Sequence, residues 1–440
     1  MTSLGETARF VQSLAASSGA KECAVESTER RELNIQWRNG KLESISDASV
    51  RNLRLGLFID NKYSSFVTTD LRPNSLKDFV KNAANLTRVL TKDPYRALPS
   101  PEFYKNRAAL NLEVYDLKAS QISIEELTRK VERIESAAKS GPQGGSVVTM
   151  TAYGGMSMAR TYLLQSNGFE GEHQSSSFDL SADVSVKDPS GKRPSGEEYV
   201  SACHWEDLPD PESIGRQATA RALQSVGAKK TASGKFTVVV DNRAASRLWS
   251  RLADALRGSA LQQKRSFLDG KVGQPIASDV LSVGDEPLLR RGLGSRFFDS
   301  EGMTAKPFPL IENGILRNYY IDSYYSRKLR TRPTTADMSN LNWKLGQKSQ
   351  EQLINDVGSG FLIRDFLGGN SNSTSGDFSL GVSGQLIKNG RVGKPFAEMN
   401  LSGNHLDFWK RLVAIGNDPF PYNSRRTPTL VFEQAQMAGA

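Results

Sequence analysis

The chain is poor in the residues that most often hold metals or cross-links. In 440 residues it has two cysteines, Cys23 and Cys203, and three histidines, His173, His204 and His405. Two cysteines can close one bridge at most. A disulfide framework is excluded, and a reducing compartment, the cytoplasm, is expected. No two histidines lie near each other and none is followed by Glu. A helix that shows two imidazoles to one zinc ion, with a glutamate beside them as general base, is therefore missing. No apolar run approaches the roughly 20 residues that span a bilayer. The start, Met1-Thr2-Ser3-Leu4-Gly5-Glu6, lacks the basic region and apolar core of a signal peptide. No Gly-x-Ser-x-Gly elbow marks a nucleophile. Gly292-Leu293-Gly294 lacks the strand-turn-helix setting of a nucleotide loop.

What is present fits a globular protein. Hydrophobic residues make up 38% and charged residues 24%, and the length is enough for two domains with sizeable cores. The net charge of +9 invites a nucleic-acid reading. The basic residues are scattered, however, in short groups such as Lys229-Lys230, Arg290-Arg291, Arg327-Lys328 and Arg425-Arg426. No aromatics are interleaved with them as a stacking platform. A solvated surface is expected, with no nucleic-acid partner. A basic face that draws acidic peptides or an acidic subunit is the functional alternative.

Periodicity gives the organisation. Leu4, Ala8, Val11 and Leu14-Ala15 fall at helical spacing, with Gly19 as the stop. Cys23 to Thr69 alternates like strands with turns at Asn39-Gly40 and Asp60-Asn61. Asn74 is expected to cap a helix that Pro94 ends. Ser123-x-x-Glu126 is a capping box opening a helix to about Ser140. A meander from Gly144 to Trp205 and a helix from Pro211 to Gly227 follow. The polar stretch Lys229 to Gly234 is the expected boundary between domains 1–229 and 230–440. Phe236 to Val240 reads as a buried strand and Ser246 to Leu261 as one helix. From about residue 275 the chain reads as mostly strand and turn. The fold class is α+β: an N-terminal layered α/β domain, then a C-terminal β-rich domain of mainly antiparallel strands.

The densest signal lies near the C-terminus. Leu367-Gly368-Gly369-Asn370 leads into Ser375-Gly376-Asp377 and the strand-like Phe378 to Val382; Ile387-Lys388-Asn389-Gly390-Arg391-Val392 and Leu401-Ser402-Gly403-Asn404 follow. Asn-Gly between apolar stretches is a hairpin signal. Upstream stand Gly270 to Ser278, Asp285-Glu286-Pro287, Arg291 to Ser295, Phe298 to Thr304, and Leu310 to Leu316. In this order the blocks, roughly residues 235 to 420, resemble the C-terminal half of the TldD/PmbA family. Arg38 to Glu43, Leu55-Gly56-Leu57 and Asn167 to Gly171 match its N-terminal half more loosely.

The resemblance implies the family's two-domain arrangement and a link to peptide-cutting metalloproteases built from paired subunits. Members that carry the metal have a His-Glu-x-x-x-His helix and a cysteine in a C-terminal Gly-rich loop. Counting back from the Gly270 block without gaps, the motif positions fall on Trp249, Ser250 and Asp254, and Gly416 to Phe420 brings no cysteine. The chain thus resembles the metal-free PmbA (TldE) type of subunit. This implies no catalytic or metal residue and no cofactor here. Zinc is expected only in a TldD-like, metal-bearing paralogue as partner, and unfolded or leader peptides are the substrate. A stand-alone peptide- or nucleic-acid-binding protein without protease activity is the other reading. The family's old description as a gyrase modulator is explained by none of these residues.

Gly368, Gly369, Asn370, Ser375, Gly376, Asp377 and His405 are the candidates for peptide contact, since glycines let a backbone approach closely. The plain reading of Gly368-Gly369 is a β-bulge, and both readings stand. Ser375-Gly376-Asp377 reads as a turn supporting the sheet. His405 either lines a cleft or sits in a surface turn. Trp249 is expected to be buried as a core anchor, or to fill the space where a paired subunit keeps its metal. Cys203-His204 lies in a strand-like run that would point the two side chains to opposite faces, so His204 reads as half-buried.

Overall fold

The computed structural model describes residues 3–140 and 144–439. Met1 and Thr2, which belong to the start read above, lie outside the described residues. The first half is one layered unit. Its elements are α1 (Leu4–Ser17), β1 (Glu22–Arg38), β2 (Lys41–Ile59), β3 (Lys62–Thr68), α2 (Pro73–Arg88), α3 (Ile124–Lys139), β4 (Val147–Gln165), β5 (Phe169–Val186), β6 (Ser195–Ala202) and α4 (Pro211–Leu223). The strands form one antiparallel sheet in the order β3-β2-β1-β4-β5-β6.

All four helices cover the same face of this sheet. Alternation puts Leu33 and Ile35 of β1, Met150 and Ala152 of β4, and Leu180 and Val184 of β5 against α3 and α4. Val25, Leu55 and Leu57 meet α1 and α2 in a second core. The hairpin turns are where the sequence places them. Asn39 and Gly40 have φ of 47° and 84°, and Asp60 and Asn61 have 52° and 60°. Two successive residues in the left-handed region match the right-handed twist of the flanking strands. The capping box at Ser123 is present, with both reciprocal hydrogen bonds made.

The helix at 73 corrects the expectation for Asn74. Arg72 is the N-cap and Pro73 opens the first turn, because a proline locks φ there and has no N–H to leave unpaired. The helix ends at Arg88, before Pro94.

The second half consists of β7 (Gly234–Val240), α5 (Ala245–Asp254), α6 (Gly258–Gln262), β8 (Val283–Glu286), β9 (Phe308–Glu312), β10 (Ile315–Leu316), α7 (Ser323–Leu329), β11 (Asn340–Trp343), α8 (Gln350–Val357), β12 (Ser359–Ser371), β13 (Asp377–Lys388), β14 (Arg391–Asn404), α9 (His405–Trp409), β15 (Leu412–Ile415) and β16 (Leu430–Ala438). A small sheet runs β10-β9-β8-β11. The larger runs β14-β13-β12-β7-β16-β15, and pairing of β14 with β16 through Leu401↔Met437 closes five of its strands into a ring. One pair in the ring, β12 with β7, is parallel; the others are antiparallel. Phe361, Ile363, Phe396, Leu401 and Phe432 belong to the main core of this half.

After 275 the chain is mostly strand and turn, as expected, with the short helices α7, α8 and α9 among them. Two expectations shift here. The helix expected from Ser246 to Leu261 is two helices, broken where Arg257 is extended at φ −80°, ψ 138°. In β7 only Val238 to Val240 are fully buried. Both cysteines are free and buried. Burial pushes the thiols up to about 11 for Cys23 and about 12 for Cys203, which suits inert core residues. Among the described residues no helix is long and apolar enough to cross a membrane.

Candidate functional site

A cleft of about 920 Å³ separates the two halves. One wall is α5, with Arg247, Ser250 and Arg251. A second is β12, with Asp365, Phe366, Leu367 and Gly368. A third is the β5–β6 turn and the start of β6, Lys192 to Glu197.

Amphipathic spacing orients α5. Leu248, Trp249 and Leu252 face the core, and Arg247, Ser250 and Arg251 face the cleft. Trp249 is 2% exposed and packs edge-on against Trp343 at 5.1 Å and Trp409 at 6.2 Å between ring centroids. The Ser250 hydroxyl donates to the Ser246 carbonyl at 2.8 Å. Asp254 is exposed and faces Arg257 at 3.8 Å. None of the three offers a free, converging ligand. An indole has no lone pair to give, the hydroxyl serves its own helix, and the carboxylate has a cation beside it. These residues do not fit a zinc ion. Among the described residues no group of three His, Cys, Asp or Glu side chains comes together as a metal set.

A buried ion network lies where α5 begins, next in sequence to the lining residues Glu197 and Asp365. Arg364 donates to Asp241 at 2.5 Å, and Glu198 of β6 pairs with Arg243 and with Arg221, the latter at 3.3 Å. Burial alone would raise the Asp241 carboxyl, but Arg364 and Arg221 outweigh it and hold the group below the ordinary range. Because Glu198 comes from the first half and Arg243 from the second, this network ties the two walls together.

The β12 wall is unusual backbone. Its ladder with β13 slips twice, between Ile363 and Asp365 and between Phe366 and Gly368. Gly368 and Gly369 have φ of 128° and 112°, a region that disfavours other residues. On the other side β12 pairs with β7 only over Phe361 to Ile363. Past Arg364 that edge has no strand partner among the described residues. Arg247 alone reaches it, donating to the Phe366 carbonyl at 2.6 Å. Leu367 stands beside it 63% exposed.

The residues singled out in the sequence divide accordingly. Gly368 and Ser250 line the cleft. Gly369 and Asn370 continue the strand, paired with Leu380 and Ser379. A Cβ at Gly369 would sit 2.2 Å from the Ser379 carbonyl oxygen, while one at Gly368 meets nothing. The ladder's second slip leaves Leu367 as the extra residue beside Gly368, while Gly369 is paired regularly with Leu380.

Ser375, Gly376 and Asp377 form a knotted turn away from the cleft lining. The Ser375 hydroxyl donates to Asp377 at 2.7 Å, and the Asn404 amide donates to the Ser375 carbonyl and to Asp377.

His405 is in neither of the places read for it. It is fully buried, opening α9, and is neither at a surface turn nor exposed in a cleft. Its ring stacks on Phe267 at 5.4 Å and against Phe378 at 4.7 Å, and Nε2 meets the Ser371 hydroxyl at 3.0 Å. Burial, then the charge of Arg251, pushes it down to about 4, so it is neutral. His204 is half-buried as expected, with Nε2 against the Glu113 carbonyl at 2.8 Å.

Arg247, Arg251, Leu367 and the Lys192–Glu197 wall were not read as a site. The arginines could have been found as the polar stripe of an amphipathic helix. The far wall comes from a different sheet, and nothing local in the sequence places it there.

Comparison with known proteins agrees with this architecture. Family models match residues 23–87 as PmbA/TldA metallopeptidase domain 1, 117–226 as the central domain and 233–439 as the C-terminal domain. The chain belongs to the PmbA/TldD family. It is similar to metalloprotease PmbA of Escherichia coli O157:H7, 26% identical over 92% of this chain and 90% of that one. A solved structure from Bacteroides thetaiotaomicron, described as a candidate modulator of DNA gyrase, is 36% identical with a TM-score of 0.96 over 99% of both chains. TldE from Thermococcus kodakarensis shares the fold, with a TM-score of 0.87 at 20% identity over 98% of this chain and all of that one. Membership of this family gives the chain a protease-related role of the TldD/TldE kind.

Proposed function

We propose that the chain is the non-catalytic, metal-free subunit of a heteromeric TldD/TldE-type metalloprotease. It holds unfolded or leader peptides for a metal-bearing, TldD-like paralogue, which alone carries zinc. The observation that carries this reading is the edge of β12 past Arg364, without a strand partner among the described residues and open to a cleft lined by helix α5. On that helix lie Trp249, Ser250 and Asp254, the positions to which the resemblance assigns the family's metal motif. An extended peptide can add to such an edge as a further strand. Its backbone then supplies the hydrogen bonds and no particular side chain is required. That selects for unfolded chains, because a folded one has no free strand to offer. Arg251, exposed on the facing helix, adds a cation to this otherwise sequence-tolerant contact.

The test is co-expression with a paralogue containing His-Glu-x-x-x-His, followed by size exclusion, zinc analysis and cleavage of an unfolded peptide. A joint peak, zinc equal to the paralogue's content alone, and cleavage only by the pair are expected. Peptide binding without assembly or cleavage would leave a stand-alone binding protein instead.

A further inference from the structure

The N-terminal sheet has a second face, and the second half of the chain covers it only at one end, where Phe298 packs on Phe169 at 5.1 Å. The other end is bare. Antiparallel register sets its side chains in rows. Gln36, Tyr153, Ser181 and Tyr199 lie directly opposite one another across four strands. Tyr153 is 40% and Tyr199 44% exposed. They stand two strands apart, about 10 Å between strand axes, with only Ser181 between them. The next row carries Gly155 and Asp179, so a groove without a large side chain runs beside the two rings. The Tyr199 hydroxyl donates to Asp179 at 2.6 Å, fixing one ring at the groove's rim.

The row on the other side is electrostatically odd. Asp183 and Glu197 face each other directly in the β5–β6 ladder. Like charges in that position destabilise a sheet. Neither has an ion pair or side-chain hydrogen bond among the described residues, although the chain as a whole carries +9. Glu197 also lines the cleft, so this face and the cleft are continuous.

We propose that this face is a binding track for lysine and arginine side chains of an unfolded polypeptide. Their apolar stems would lie between Tyr153 and Tyr199 over Ser181, with the cations taken by Asp179, Asp183 and Glu197. Charge complementarity selects this occupant. A cation relieves the opposed carboxylates, and tyrosine faces attract ammonium and guanidinium groups. The track rests on the reading of the cleft as a peptide site and extends it from the β12 edge onto the first half of the chain.

The experiment uses the full chain and two labelled, unstructured twelve-residue peptides, one with alternating lysines and one with glutamates in their place. Binding is followed by fluorescence anisotropy. The lysine peptide should bind at least tenfold more tightly. The Asp183→Asn, Glu197→Gln double variant should erase that preference while its melting temperature stays level or rises, since a repulsion is removed. Tyr199→Ala should weaken lysine-peptide binding severalfold and Tyr199→Phe should not. Equal binding of the two peptides, or a preference surviving in the double variant, would overturn the track. A Leu367→Asp variant separates the two sites. If it abolishes binding of both peptides while the double variant changes nothing, the β12 reading stands without the track. If it has no effect while the double variant erases the preference, the track stands without the edge.

Discussion

The two large sheets handle their exposed groups in opposite ways. The C-terminal sheet closes on itself through β14 and β16 around a filled interior. The N-terminal sheet stays open, with one face under four helices and part of the other bare. In the closed sheet the uncovered feature is a backbone edge, the part of β12 past Arg364. In the open sheet it is a side-chain face. A backbone edge binds without reading sequence and a side-chain face binds by reading it, so the two regions are suited to different parts of one task.

The sharpest way to break this comparison is at the closed sheet's core. Trp249→Ala removes an indole packed on two other tryptophans, and a loss of roughly 3–5 kcal/mol in urea unfolding is expected. An unchanged midpoint would mean α5 is not anchored there.

Next in size is a pH effect from His405. Its folded-state value of about 4 lies below the ordinary 6.5, so the unfolded chain takes up the proton first. The stability tied to its neutral form is complete above pH 6.5 and is lost as pH falls toward 4. Relative to a His405→Asn variant, the wild type should lose about 2.5 kcal/mol between pH 7 and 4.5. Comparison with the variant is needed because other groups oppose this trend. Burial pushes Asp299 up to about 6 and Glu301 up to about 7, and what they contribute is lost as pH rises through those values. Parallel curves for wild type and variant would contradict the assignment.

Two smaller effects separate edge from ladder. Gly369→Ala should cost about 1–3 kcal/mol, because its Cβ would press on the Ser379 carbonyl and the β12–β13 ladder must give. The effect reads out as stability, so a bulky residue at Gly369 is not a clean probe of peptide contact. Leu367→Asp, on the exposed side, should leave stability within about 0.5 kcal/mol and lower peptide cleavage by the assembled pair. Equal stability losses at the two positions would erase the distinction.

Much of this was legible in the sequence where the signal is local. The Asn39-Gly40 and Asn389-Gly390 turns need positive φ, and few residues supply it. The Ser123 capping box announced α3. The same signal at Ser349 and Gln352 opens α8, yet α8 lay inside a stretch dominated by strand patterns. His405 illustrates the limit. After Gly403-Asn404 it resembles a turn residue, but Asn404 caps a helix of five residues, too short for any period to show. The cleft itself was beyond reach. It joins Glu197 to Arg251 and Leu367, residues far apart in the chain that tertiary contacts such as the Glu198–Arg243 pair bring together.

The central claim is the division of labour between an edge that holds peptide and a partner that cuts it. The most direct measurement is cleavage of one unfolded peptide by this chain, by a metal-bearing paralogue, and by the two assembled. Cleavage by the assembled pair alone, reduced by Leu367→Asp in this chain, is the expected result. Cleavage by this chain alone that survives a chelator, or full activity of the paralogue without it, would contradict the account.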